Sequence, residues 1–207
     1  MCSRRIGVLA VQGAFAEHTA RLRQLGCEVV ELRQLVDLAR PLDGLVLPGG
    51  ESTTQAKLLR DLGMLQPLRQ LVRDGMPVLG TCAGLILLAE TVESTGDGRA
   101  LVDAAAALPV EGFRTLPVTV RRNGYGRQLG SFTATAPLHV KHGEAPLVPL
   151  TFIRAPRIVA MGPGAETLVA LGDEPVAVRF GNQIGCCFHP ELDSSNALYR
   201  LFLSLTA

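Results

Sequence analysis

The sequence predicts an α/β fold, with a mostly parallel central sheet, helices on both faces and extra antiparallel strands in the second half. In the first half, short apolar runs alternate with stretches of helical spacing, the pattern of strand–helix–strand units. In the second half the pattern changes to successive strand-like runs separated by turn residues. At 207 residues with 47% apolar content, the chain has enough material for one large core, so residues 1–207 are expected to form a single domain.

The elements follow in order. Residues 6–11 read as the first strand, and residues 15–25 have helical spacing that stops at Gly26. Residues 28–32 and 44–47 are the next two strands, the second ended by Pro48-Gly49-Gly50. A helix starts at about Ser52, a second apolar-periodic segment covers 65–73, and Asp74-Gly75-Met76-Pro77 turns into the strand that ends at Cys82. The stretch from Glu93 to Pro109 is rich in Gly and Ala with little pattern, and reads as a surface excursion. Strand-like runs follow at 116–121, 131–136, 151–153, 158–161, 176–180 and 183–188, with hairpin signals at Asn123-Gly124 and Gly181-Asn182. An amphipathic helix near 196–205 closes the chain, and neither an internal repeat nor a linker interrupts it.

Composition excludes several classes of function. A net charge of +1 gives no reason to expect nucleic acid or an anionic membrane as partner. With no Trp and only 4% aromatic residues, base-stacking platforms are not expected either. The five cysteines are an odd number, and Cys186-Cys187 are adjacent, which fits a reducing, cytoplasmic compartment better than a disulfide framework. Arg4-Arg5 followed by an apolar run imitates a signal peptide, but the run at 6–11 falls short of the usual minimum of about seven residues. No segment approaches the roughly 18 apolar residues of a membrane span.

The most informative segment is Gly80-Thr81-Cys82-Ala83-Gly84, lying between the apolar runs Val78-Leu79 and Leu85-Ile86-Leu87-Leu88-Ala89. It is the thiol version of a nucleophile elbow, in which small residues let a strand turn sharply into a helix and expose the central side chain. The helix start directs free N–H groups at the sulfur and favours thiolate. The alternative is a small core cysteine in an ordinary turn.

A thiol nucleophile needs a base, and the base an orienting acid. Of the four histidines, His18 falls in a helical stretch and His139 and His142 in a polar connection. His189 ends a strand-like run and is followed by Pro190 and Glu191, so a carboxylate lies two residues from an imidazole. In extended chain those two share a face, and Glu191 is then placed to hold His189 in the tautomer that exchanges protons with Cys82. The bland reading is a strand-terminal His beside a solvated Glu. Cys187, His189 and Glu191 on one face also suggest a metal, but three or four protein ligands are wanted and a fourth is not evident, so no metal and no cofactor is expected.

Pro48-Gly49-Gly50-Glu51-Ser52-Thr53-Thr54 follows a strand, opens a helix and should lie beside the elbow at the ligand-binding edge of the sheet. Its amides are candidate oxyanion donors. It lacks the Gly-Lys-Ser/Thr of a phosphate loop, since the nearest lysine is Lys57, and Gly7 and Gly13 are badly spaced for a dinucleotide.

The elbow together with His189-Pro190-Glu191 resembles the class I, triad-type glutamine amidotransferases, whose fold is flavodoxin-like. Five blocks narrow the likeness: Val11-Gln12-Gly13-Ala14, Leu47-Pro48-Gly49-Gly50-Glu51-Ser52-Thr53-Thr54, Arg122-Asn123-Gly124-Tyr125-Gly126-Arg127-Gln128, Phe152-Ile153-Arg154-Ala155-Pro156 and Phe188-His189-Pro190-Glu191-Leu192. In that order they are similar to the glutaminase subunits of pyridoxal 5′-phosphate synthases, over nearly the whole chain. The resemblance implies release of ammonia from L-glutamine and its transfer to a separate synthase subunit. It implies Cys82 as nucleophile, His189 as general base and acid, and Glu191 as its orienter. Gly50, Glu51, Ser52, Arg122, Ile153 and Arg154 would contact glutamine, and the amides of Gly50 and Ala83 would hold the oxyanion. Activation by the synthase, through residues 12–17, is a further implication. Two other readings stay open: a Cys hydrolase or peptidase of the same fold, and a non-catalytic binding subunit.

Two positions and one segment depart from the family. Arg121 stands where many members carry an acidic residue, Cys187 where serine is common, and the excursion between Glu93 and Leu116 is longer than usual.

Overall fold

A computed structural model describes residues 4–93, 110–125, 130–140 and 145–206. The first strand, β1 (Arg5–Leu9), feeds helix α1 (Phe15–Gln24), and β2 (Glu28–Leu32) returns beside β1 in parallel. A short 3-10 helix (Leu35–Ala39) leads to β3 (Gly44–Leu47), then α2 (Ser52–Asp61), α3 (Leu65–Arg73) and β4 (Val78–Thr81). Six residues of helix, α4 (Ala83–Leu88), run directly into β5 (Ala89–Glu93). The β-rich half comprises β6 (Leu116–Arg121), β7 (Ser131–Pro137), β8 (Leu147–Ile153), β9 (Arg157–Met161), β10 (Glu166–Leu171), β11 (Glu174–Phe180) and β12 (Gln183–Cys186). A 3-10 turn (Pro190–Leu192) and α5 (Ala197–Leu203) follow.

The main sheet has seven strands in the order β10-β11-β12-β4-β3-β1-β2. From β12 to β2 every pair is parallel, and β10 and β11 add an antiparallel edge. β5, β6 and β9 form a second sheet and β7 and β8 a hairpin. The order 2-1-3-4 places the switch point between β1 and β3, as in a flavodoxin-like fold, and strand ends there form a binding edge.

Two successive residues of β4 show that helices cover both faces. A Cβ on Gly80 would meet Leu88 and Gly84 of α4, whereas the Thr81 hydroxyl bonds His18 of α1. Alternate strand residues point to opposite faces, so α1 and α4 flank the sheet on opposite sides. α2 packs on α4, and α5 joins α1 through Tyr199 and His18. The fit under α4 is tight: a Cβ on Gly84 would lie 2.0 Å from the Leu47 carbonyl oxygen, which only glycine avoids. The core strands are mostly apolar, with Leu45, Val46, Leu47, Val78 and Leu79 fully buried, each worth about 1.5–3 kcal/mol of transfer free energy.

Most expected elements are present, and the differences have local causes. β1 stops at Leu9, not Val11, because the chain bends through Gly13 at φ 103°. β5 continues the apolar run that reads as helix. β10 alternates weakly and was not expected; Gly172, at φ 57°, closes its hairpin with β11. Gly181-Asn182 does join β11 to β12. Asn123-Gly124 makes a turn, but no hairpin between β6 and β7: β6 pairs with β5 and β9 instead. Most of the excursion between Glu93 and Leu116, together with Gly126 to Gln128 and His142, lies outside the described residues. Among the described residues no helix is long and apolar enough to cross a membrane.

Candidate active site

The elbow is strained where chemistry needs exposure. Cys82 sits at φ 48°, ψ −100°, between the last residue of β4 and the first of α4. Such a backbone costs on the order of 1–3 kcal/mol and survives only when neighbours dictate it. Here the Cys82 N–H donates to the Cys186 carbonyl of β12 (2.8 Å), and its own carbonyl accepts from Ile86 (3.2 Å) as α4 begins. Ala83, at the first position of the helix, has an N–H with no acceptor inside that helix. α4 has only six residues, so its field at Cys82 comes mainly from these first amides.

β12 ends at Cys186, short of the expected 183–188. The chain leaves the sheet, and the His189 N–H donates to the Thr151 carbonyl of β8 (2.8 Å). Glu191 therefore meets His189 through the 3-10 turn and not along an extended face as the spacing implied. The contact is short: His189 Nδ1 lies 2.6 Å from Glu191 Oε1, which leaves Nε2 as the ring nitrogen available to Cys82. All three side chains are buried, Cys82 and His189 at 7% exposure and Glu191 at 5%. Burial works against a charged His189, but hydrogen bonds to Cys82 and Glu191 outweigh it and raise its pKa to about 10. Burial likewise penalises the Glu191 carboxylate, yet the hydrogen bond and charge of His189 hold its pKa below the ordinary value.

The turn carrying Glu191 is anchored from α1. The Arg21 guanidinium donates to the carbonyls of Asp193 and Glu191, and to Asn196 Oδ1 (3.3 Å). Thr151 donates to Asp193 Oδ1 (2.6 Å). His18, absent from the expected site, lies fully buried behind Glu191, with Nε2 3.4 Å from Oε2. No sequence signal near His18 points there, because its partners Thr81, Glu191 and Tyr199 are all remote in the chain.

In front of the pair runs the β3–α2 loop. A Cβ on Gly49 would stand 2.4 Å from His189 Cε1 and 3.4 Å from the Cys82 Cβ, so the bare backbone is what lets the imidazole reach the sulfur. Gly49→Ala is expected to push the ring aside and lower turnover about 100-fold, with thermal unfolding little changed. A steady-state assay beside a melting curve checks it.

The expected substrate contacts are brought together unequally. Gly50 is exposed at the loop tip, whereas the Ser52 side chain is buried in the first turn of α2. Glu51 caps that helix, accepting from Thr53 (3.0 Å) and Thr54 (2.6 Å), and its N–H donates to Gln12 Oε1 (2.9 Å). Burial opposes its charge, but these amides keep its carboxyl below the ordinary range. Arg122 reaches across to Glu51 (3.2 Å). The turn after Arg122 bonds to Ala155 through the Gly124 N–H (3.1 Å), which brings the Ile153-Arg154 strand end alongside; both residues are exposed, and Arg154 has φ 43°. Gln55, which sequence reasoning missed, braces the loop from below by donating to the Gln12 and Pro48 carbonyls.

The departures sit outside the triad. Arg121 pairs with Glu93 (2.9 Å) at the surface. Cys187 is fully buried, and desolvation pushes its thiol far up, so it stays protonated.

A glutamine amidotransferase family model, described as SNO, matches residues 8–206. Curated relatives named pyridoxal 5′-phosphate synthase subunit PdxT occur in Desulfitobacterium hafniense (50% identity, 96% of this chain and 92% of the relative) and Methanocorpusculum labreanum (46%, 98% of each). A solved structure described as a glutamine amidotransferase superimposes with TM-score 0.82 at 39% identity, covering 97% of each chain. Another glutamine amidotransferase, from Thermotoga maritima, shares the fold at 16% identity and TM-score 0.57, over 92% of this chain and 77% of that one. With the elbow, the His-Pro-Glu turn and the glycine loop in one place and the match running from the first strand to the last helix, this chain belongs to the SNO glutamine amidotransferase family.

Proposed function

We propose that the chain, acting as one domain, hydrolyses L-glutamine to L-glutamate and ammonia through Cys82, His189 and Glu191, and passes the ammonia to the synthase subunit of a cytoplasmic pyridoxal 5′-phosphate synthase. The observation that carries it is the short His189–Glu191 contact (2.6 Å) set beside Cys82 at a strained elbow, with the imidazole and the Cys82 side chain both crowding Gly49. That the relatives are named as subunits of pyridoxal 5′-phosphate synthase supports the synthase as partner.

The chemistry follows from the protonation of His189. Raised to about 10, the imidazole is cationic at neutral pH and offers the counter-charge that a Cys82 thiolate requires. The thiolate adds to the side-chain amide carbon of glutamine, and the developing oxyanion falls to the amides of Ala83 and Gly50. His189 gives its proton to the departing nitrogen, the C–N bond breaks, and ammonia leaves a γ-glutamyl thioester. Now neutral, His189 takes a proton from water as its oxygen attacks the thioester carbon, and glutamate leaves with the Cys82–His189 pair restored. Glu191 stays ionised and holds the ring through Nδ1. Arg122 and Arg154 are the cations available to the α-carboxylate of glutamine, which a guanidinium binds with two parallel hydrogen bonds.

Ammonia release should rise and saturate as the synthase subunit is titrated in. Turnover of peptides or esters with indifference to glutamine would instead assign a hydrolase, and a Cys82 inert to a glutamine-mimicking alkylator in the complex would assign a binding subunit.

A further inference from the structure

The molecule buries a second imidazole against the catalytic carboxylate. His18 Nδ1 lies 2.6 Å from the Tyr199 hydroxyl; its Nε2 lies 3.1 Å from Thr81 Oγ1 and 3.4 Å from Glu191 Oε2. That Glu191 oxygen is buried without a hydrogen-bond partner, and the imidazole of His18 is the polar group facing it. We propose that His18 is a positioning residue: its Nε2–H, hydrogen-bonded to Thr81 Oγ1, faces the otherwise unpartnered Glu191 Oε2, so that the carboxylate lies between two imidazoles with its other oxygen turned to His189.

The partners favour one proton assignment. Burial keeps His18 neutral, overriding the attraction of Glu191 and Glu17, with the charge of His189 adding to the effect. A neutral imidazole carries a single N–H. The Tyr199 phenol keeps its proton, since burial, Glu191, Cys186 and Asp193 all oppose a phenolate and only Arg21 favours one. Were that N–H on Nδ1, the tyrosine proton would have no acceptor and the Nε2 lone pair would face a carboxylate. With the tyrosine donating to Nδ1, Nε2–H is directed to Thr81 Oγ1 (3.1 Å) and faces Glu191 Oε2 (3.4 Å), the two acceptors on that side of the ring. The line therefore reads Tyr199, His18, Glu191, His189, Cys82, joining α5, α1, the 3-10 turn and the elbow.

This inference rests on the triad proposed above, but the two can fail separately. The test is the pH profile of Cys82 alkylation by iodoacetamide, read by peptide mass spectrometry and so independent of glutamine turnover. Without the His18 donor, Glu191 takes a proton at higher pH, and a neutral acid cannot support the imidazolium. In His18→Asn the acid limb should therefore move up by about one pH unit and the plateau rate fall about 10-fold. His18→Gln, whose amide nitrogen can occupy the place of Nε2, should restore most of both. Tyr199→Phe frees the tautomer and should shift the profile in the same direction by less; it decides the matter if His18→Asn does not fold. A folded His18→Asn with the wild-type profile, or a Gln variant as impaired as Asn, overturns the proposal. A wild-type profile unchanged in His189→Ala sinks the triad instead.

Discussion

Cys82→Ala is expected to lower ammonia release from glutamine by at least about 10,000-fold in the presence of the synthase subunit. Without the sulfur no thioester forms, and the remaining amides and imidazole can only polarise the substrate. The fold should persist, because alanine keeps the backbone bonds to Cys186 and Ile86 that dictate the elbow. A melting curve within a few degrees of wild type, beside a rate at the assay floor, is the expected pair of results. Appreciable release by the variant would remove Cys82 from the chemistry.

Glu191→Gln ranks second, with an expected loss of about 1,000-fold or more in kcat. The neutral amide withdraws the charge that supports His189 and offers an N–H where an acceptor is required, which favours the wrong tautomer. The sign on stability follows from the pKa directions. The folded His189 titrates at about 10, above its ordinary 6.5, so its contribution is complete below the lower value and lost as pH rises through the upper. Glu191 is held below its ordinary 4.5, so its contribution is present above that value and lost as pH falls through the folded one. Wild type should therefore exceed the variant in melting temperature most between about pH 5 and pH 6.5, converging with it in strong acid and above about pH 10. A difference constant across the whole range would mean that the contact is mere packing.

Some of this site was written locally and some was not. Gly80 to Gly84 betrays the elbow because small residues flank a thiol between two apolar runs, and the reason for each small residue is visible within a few positions. His189 and Glu191 were legible as neighbours, though the link proved to be a 3-10 turn set by Pro190 and not an extended strand. His18 was illegible: nothing on α1 distinguishes it from a core histidine until β4, α5 and the Glu191 turn converge on it. Likewise β10 shows little alternation because it lies at the sheet edge, and the Asn123-Gly124 turn carries hairpin residues while its flanking strand pairs elsewhere. Glu51 reads as a substrate contact, yet half of its hydrogen-bonding capacity belongs to the start of α2.

The bond from the Cys82 amide to the Cys186 carbonyl ties the reactive centre to the middle of the main sheet, with β3 on one side of β4 and β12 on the other. An amide so placed should exchange with deuterium only on the rare opening of the whole molecule, unlike the outward-facing amides of the edge strands β10 and β2. Local breathing then cannot present an unpaired thiolate to solvent oxidants or stray electrophiles. The nucleophile is available to whatever enters from the loop side, and shielded from everything that would need the fold to loosen.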